Sequence, residues 1–173
     1  MINSHLSRNR GVKVSFTHLI GYAVIKALKK MPSMNVTYEE QDGKPVAIHP
    51  AHVNFGLAID LPNKDGSRNL VVPNIKGAQE KSLVELGSDL GDLISTARGG
   101  KTQPADMSGG TITITNVGVF GVDSGTPILN AGEAAILCFG AINRRPWVVT
   151  DADGNETIEP RWVTELALSF DHR

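Results

Sequence analysis

The apolar positions of this chain repeat at helical spacing in two stretches and alternate, or run on without a break, in several others. From Ser15 to Lys30, SFTHLIGYAVIKALKK sets Leu19, Ala23, Val24, Ala27 and Leu28, then Met31, at steps of three and four, which predicts one apolar stripe of a helix. Ser15 or Thr17 can cap its start by accepting a free amide proton, and Pro32 stops it. Ser82 to Arg98, SLVELGSDLGDLISTAR, carries Leu83, Leu86, Leu90, Leu93 and Ile94 on one face and opens with Ser82 and Glu85 at capping-box spacing.

The remaining patterned segments read as strands: HVNFGLAID at 52–60, NLVVPNI at 69–75, TITITN at 111–116, EAAILCFGAI at 133–142 and TELALSF at 164–170. NKDGS is a turn between the first pair, and TDADGNET is a polar hairpin loop between the last pair. GGKTQPADMSGG is expected to be an ordered loop inside the domain, since strand patterns flank it on both sides. Two long helices among at least five strands, without strict alternation, predict an α/β fold: a mixed sheet with covering helices on one face. A length of 173 residues fits one domain, 1–173, with a proper core.

Composition narrows the function classes. Seventeen Lys and Arg against eighteen Asp and Glu leave a net charge of −1, so no bulk attraction toward nucleic acid or an anionic membrane is built in. The single Cys138 cannot form an internal disulfide and fits a reducing cytoplasmic location. No apolar run approaches the ~20 residues of a membrane span, and MINSHLSRNRGVKVS lacks the apolar centre of a leader.

Two places carry candidate chemistry. His172 ends an alternating strand between Asp171 and Arg173, and an imidazole with an unperturbed pKa of ~6.5 suits proton transfer near neutrality. On the residues alone, a surface histidine at a strand end is the better reading. In TNVGVFG, Thr115 and Asn116 close a strand while Gly118 and Gly121 allow a tight turn, so hydroxyl and amide groups meet a close backbone approach. Satisfying their own turn is the alternative. His49 and His52 lack a third metal ligand nearby, Gly109 and Gly110 precede a strand instead of a helix, and Cys138 sits in an apolar run, so none is assigned chemistry.

Four stretches, SFTHLIGYAVIKAL, VNFGLAIDLP with NLVVPNIK, SGGTITITNVGVFG with GTPILNAGEAAILCFGAI, and LALSFDHR, closely resemble the catalytic domain of dihydrolipoamide acyltransferases, the E2 components of 2-oxoacid dehydrogenase complexes. They occur in the family's order at close to its spacing, and LALSFDHR is the left half of its active-site signature. The resemblance implies a chloramphenicol acetyltransferase-like fold assembled as homotrimers with active sites at subunit contacts. It implies that His172 is the general base, that Thr115 of a neighbouring subunit stabilises the oxyanion, and that Ser15, Asp60, Asn116, Gly140 and Ile142 line the coenzyme A channel. Coenzyme A is then a substrate, the lipoyl group arrives on a lipoyl domain not in this chain, and the E1 and E3 components are partners.

The resemblance also sets expectations about what is missing. Asp-Gly should follow two residues beyond Arg173, and lipoyl and subunit-binding domains should precede this segment, so the stretch alone is expected to be a truncated, inactive part of a longer protein. The acyl group is expected to be of the branched-chain class, on the likeness of VDSGTPILNAGEAAILCFGAI to such enzymes, against a succinyl-like cue in Thr115, Asn116 and GVFG. A catalytically silent scaffold core and a free-standing chloramphenicol-type acetyltransferase are the alternatives.

Overall fold

The computed structural model describes residues 14–173; the amino-terminal stretch read above as lacking a leader lies, up to residue 13, outside the described residues. The first helix, α1 (Phe16–Lys30), is capped by Ser15, whose side chain accepts from the His18 amide while the His18 ring accepts from the Ser15 amide. The buried face differs from the expected stripe. Gly21, Ile25 and Leu28 point inward, whereas Ala23, Ala27 and Met31 are exposed. Gly21 faces the Phe55 ring on that buried side: a methyl group there would meet the ring at 3.1 Å, so a larger residue would need the ring or the helix to give by a few tenths of an ångström.

Chain order then gives two strands, β1 (Thr37–Gln41) and β2 (Lys44–Ile48), paired as a hairpin. Asp42 and Gly43 turn it with φ of 53° and 73°, the Asp-Gly turn that twists with its strands. The expected strand at 52–60 is two elements, β3 (Phe55–Leu57) and β4 (Ile59–Pro62), and that at 69–75 is also two, β5 (Arg68–Val71) and β6 (Asn74–Ile75). Pro73 interrupts the second, having no amide to continue a ladder. β4 and β5 pair only with each other and stand off the main sheet as a separate hairpin.

The second long helix, α2 (Leu83–Arg98), follows, with the Ser82–Glu85 capping box formed as expected. The polar stretch after it contains a short helix, α3 (Pro104–Met107), where a loop was expected; Pro104 at its first position and the Asp106–Gln103 bond nucleate it. Then come β7 (Ile112–Asn116), β8 (Ala135–Phe139), β9 (Asn143–Thr150), β10 (Glu156–Val163) and β11 (Leu166–Phe170). TDADGNET is the turn joining β9 to β10, two strands the alternation did not mark. Their opposed Pro146 and Pro160 and the lack of alternation in NRRPWVVT and ETIEPRWV hide the strand period.

The central sheet has the order β11-β8-β7-β3-β6, with β3, β7 and β8 parallel and both outer strands antiparallel to their neighbours. This is the expected mixed sheet. Leu86 and Leu90 of α2 and Ile25 and Leu28 of α1 pack with Phe55, Ile112, Ile114 and Phe139 into one buried cluster. Each fully buried leucine, isoleucine or phenylalanine contributes ~1.5–3 kcal/mol, enough to fix both helices on the sheet. Alternation turns Thr113 away from Ile112 and Ile114, and its hydroxyl donates to the buried Glu133 carboxylate at 2.9 Å. Cys138 is buried, and burial pushes its thiol pKa up, in keeping with a small core residue.

Candidate active site

β7 ends at Asn116 and the chain turns sharply through a short 3₁₀ segment, Gly118–Phe120. Gly118 is pressed against the Gly140 carbonyl, and Gly140 in turn against the Asp123 carbonyl; an added methyl group would lie 2.5 Å and 1.7 Å from those oxygens. Both positions require glycine for close approach. The Val117 amide donates to Phe139 O at 3.1 Å and the Ala141 amide to Val122 O at 2.9 Å, so the turn is bolted to the end of β8.

That turn forms one lip of an open cleft of about 970 Å³. The β4–β5 hairpin forms the other, the end of α2 closes one side, and Thr115 and Asn116 stand half-buried on its floor. Thr17 lines the cleft from α1, and its hydroxyl accepts from the Asn116 side-chain amide at 3.2 Å, which fixes that amide and leaves the Asn116 carbonyl oxygen for other donors. Asp60 faces the cleft from β4 and accepts from Arg68 Nε at 2.6 Å and from its Nη2. The Arg68 guanidinium also lies 5.4 Å from the centre of the Phe120 ring, bridging the two lips.

Of the expected channel residues, Asp60, Thr115 and Asn116 meet in this cleft. Gly140 and Ile142 are not among its lining residues; Gly140 acts from behind, as the surface on which the turn rests. Ser15 is spent on capping α1, and Thr17, read above only as an alternative cap, takes the lining position. Arg68, Arg98 and Phe120 also line the cleft. No sequence signal singled them out, because exposed arginines and a turn phenylalanine look alike whether or not a cleft lies beneath them.

His172 is exposed and lies beyond β11, its ring 5.4 Å from that of Phe170. Asp171 and Arg173 hold each other in a two-pronged pair at 2.9 and 2.6 Å, which keeps the Asp171 carboxyl below the usual carboxylate range. The Arg173 guanidinium stacks 5.4 Å from the Tyr38 ring centre. The strand end is therefore clamped on both sides of the histidine.

Register separates His172 from Thr115. Thr115 pairs with Cys138, which pairs with Ala167, so His172 lies five residues further along and two strands across. At ~3.3 Å per residue and ~4.8 Å per strand the offset is roughly 19 Å. One copy of the chain does not bring the imidazole to the threonine. Among the described residues no group of three His, Cys, Asp or Glu side chains is arranged to hold a metal ion, and no helix is long and apolar enough to cross a membrane.

The family model for the 2-oxoacid dehydrogenases acyltransferase catalytic domain matches residues 1–173. The chain belongs to this family. It is similar to the multifunctional 2-oxoglutarate metabolism enzyme of Mycolicibacterium vanbaalenii, 49% identical over 142 residues, which are 82% of this chain and 11% of that protein. A Mycobacterium relative of the same name matches equally, at 49% over 142 residues. The chain thus spans about a tenth of the length of these curated relatives, 11%. Among solved structures, a probable dihydrolipoamide acetyltransferase from Listeria monocytogenes superposes with a TM-score of 0.81 at 33% identity, covering 99% of this chain and 67% of that one. The cubic core of a pyruvate dehydrogenase multienzyme complex superposes at 0.82 and 32% identity, covering 99% and 65%. The fold is accordingly that of the E2 catalytic cores, the chloramphenicol acetyltransferase type. The branched-chain expectation finds no support in these relatives, whose name points to 2-oxoglutarate.

Proposed function

We propose that this domain transfers an acyl group between S-acyl-dihydrolipoamide and coenzyme A, at sites shared between copies of the chain. The observation that supports the reading is the register: Thr115 opens into a cleft at one end of the sheet and His172 lies beyond the other, so within one copy they stay apart and a site that uses both needs a second copy. The surface beside His172 suits such a boundary. β11 is an edge strand with Leu166, Leu168 and Phe170 exposed, and Trp147, Ile158 and Trp162 of the adjoining hairpin are exposed as well. Apolar area of that kind is covered in assemblies. A homotrimer, a closed ring of head-to-tail contacts in which each copy lends its histidine to the next, fits these surfaces.

The chemistry follows from the residue types. A thiol of pKa ~8.5 is mostly protonated at neutral pH, and the His172 imidazole accepts its proton as coenzyme A sulfur attacks the thioester carbonyl. The carbonyl oxygen becomes an oxyanion, to which the Thr115 hydroxyl donates; a single donor of this kind is worth ~2.7–4 kcal/mol. Collapse expels the dihydrolipoamide sulfur, which takes the proton back from the imidazolium. Acyl-coenzyme A and free dihydrolipoamide result, with the base regenerated. The lipoyl group comes on a separate lipoyl domain, E1 and E3 components complete the cycle, and the location is cytoplasmic.

The acyl group is succinyl. Loss of carbon dioxide from 2-oxoglutarate leaves a four-carbon acyl chain with a free carboxylate, and the relatives at 49% identity carry 2-oxoglutarate in their name. The test is acyl-coenzyme A production by the full-length protein from succinyl-, acetyl- and isobutyryl-dihydrolipoamide. Preference for the succinyl donor is the expected result. No acyl-coenzyme A from any donor would leave the domain as a scaffold, and transfer to a small free hydroxyl acceptor instead would make it a free-standing acetyltransferase.

A further inference from the structure

The charged residues lining the cleft are Asp60, Arg68 and Arg98. Asp60 and Arg68 neutralise each other, with Asp60 the more enclosed partner at 23% side-chain exposure against 54%. Arg98 makes no ion pair and no side-chain hydrogen bond with the described residues, so one guanidinium charge in the cleft is uncompensated. Arg68 is not free to wander. Its hairpin turn is locked by Asn63 and Ser67, bonded through both backbone and side chains at 2.8 Å, and by the Ser67 hydroxyl on Asp65 at 2.6 Å. Its remaining guanidinium nitrogen, Nη1, has no partner among the described residues.

We propose that Arg98, with Arg68 in the same cleft, recognises an anionic oxygen group of the substrate: a phosphate of coenzyme A or the free carboxylate of a succinyl group. This rests on the acyl-transfer reading of the cleft. A guanidinium presents a planar fork of donors that matches carboxylate and phosphate oxygens, and both arginines are exposed on the cleft and open to an incoming anion. Arg98 also ends α2, where a cation suits the helix dipole. That role alone affects stability and leaves substrate affinity untouched, so kinetics separate the two.

The experiment uses the full-length protein with Arg98→Gln and Arg98→Lys. KM is measured for coenzyme A and for pantetheine, which offers the same thiol without phosphates, and kcat/KM for succinyl- and butyryl-dihydrolipoamide, which differ in the carboxylate. Loss of one charged hydrogen bond predicts a change of about tenfold in Arg98→Gln, with Arg98→Lys intermediate. If KM rises for coenzyme A and not for pantetheine, the anion is a phosphate. If kcat/KM falls for the succinyl donor and not for the butyryl donor, it is the carboxylate. Equal change in all arms, or none, overturns the site. Calorimetric titration with coenzyme A and with succinate is run on the same proteins. A wild type that transfers no acyl group would sink the functional reading, yet weaker binding of either titrant in Arg98→Gln would still support the site, and unaltered binding of both would overturn it.

Discussion

Adding one methyl group at Gly140 would drive it to 1.7 Å from the Asp123 carbonyl oxygen and 2.4 Å from its carbonyl carbon. Carbon contacts become comfortable only near ~3.5 Å, so the 117–123 turn or the end of β8 must retreat by roughly 1.5 Å or more. The obstacle is backbone on both sides, so no side-chain rotation relieves it. Retreat strains the Ala141–Val122 and Val117–Phe139 hydrogen bonds and pulls Asp123 from Arg145, to which it is paired at 2.8 Å. Overpacking of this kind costs ~1–3 kcal/mol and each of the two weakened backbone bonds about 1 kcal/mol, so Gly140→Ala is expected to lose about 3–5 kcal/mol. Urea unfolding of the variant reads this as a lower midpoint at unchanged slope. Because the displaced turn carries Val119 and Phe120 of the cleft lip, KM for coenzyme A should rise as well. An unaltered midpoint would refute the reasoning that glycine here is a packing requirement.

Thr115→Ala removes the proposed oxyanion donor and should lower kcat by about 10²–10³-fold with little change in unfolding midpoint, measured by steady-state acyl transfer; a loss below threefold would contradict the role. Glu133 is held between Thr113 and Asn130, and burial raises its carboxyl above the ordinary value near 4.5. A raised folded pKa gives stability that is present below the unfolded value and lost as pH climbs through the folded one. The Glu133 contribution should therefore decline as pH rises above about 4.5, against a His18 contribution of opposite sign, and the difference between wild type and Glu133→Gln in pH-dependent urea unfolding should shrink over that range.

The two helices and the central strands were legible because their apolar periods report directly which face is buried. Ser82 with Glu85 and Pro32 marked helix ends for reasons that survive in the structure. The rotation of α1 was not legible: its buried side includes Gly21 facing Phe55, a contact 34 residues away in sequence that no local period encodes. The β1–β2 hairpin did carry a signal, the Asp42-Gly43 dipeptide, beside strands too polar to draw notice. At the site, Thr115 and Asn116 were marked by the strand end and its glycines, Asp60 by family resemblance alone, and the cleft brings the three together. Arg68 and Arg98 were missed because their value lies in what they face; Ser15 is one of the two caps expected, and only geometry shows that Thr17, the other candidate, is the one that lines the cleft.

Mixing tests the shared site most directly. His172→Ala subunits keep Thr115 and Thr115→Ala subunits keep His172, so each variant alone should be nearly inactive. Dissociated together and reassembled at equal ratio, a random trimer joins an intact histidine to a neighbouring intact threonine at about one site in four. Recovery of about a quarter of wild-type acyl transfer is the predicted result. Activity no higher than that of the two variants alone, with mixed trimers demonstrated by mass, would contradict an active site built between subunits.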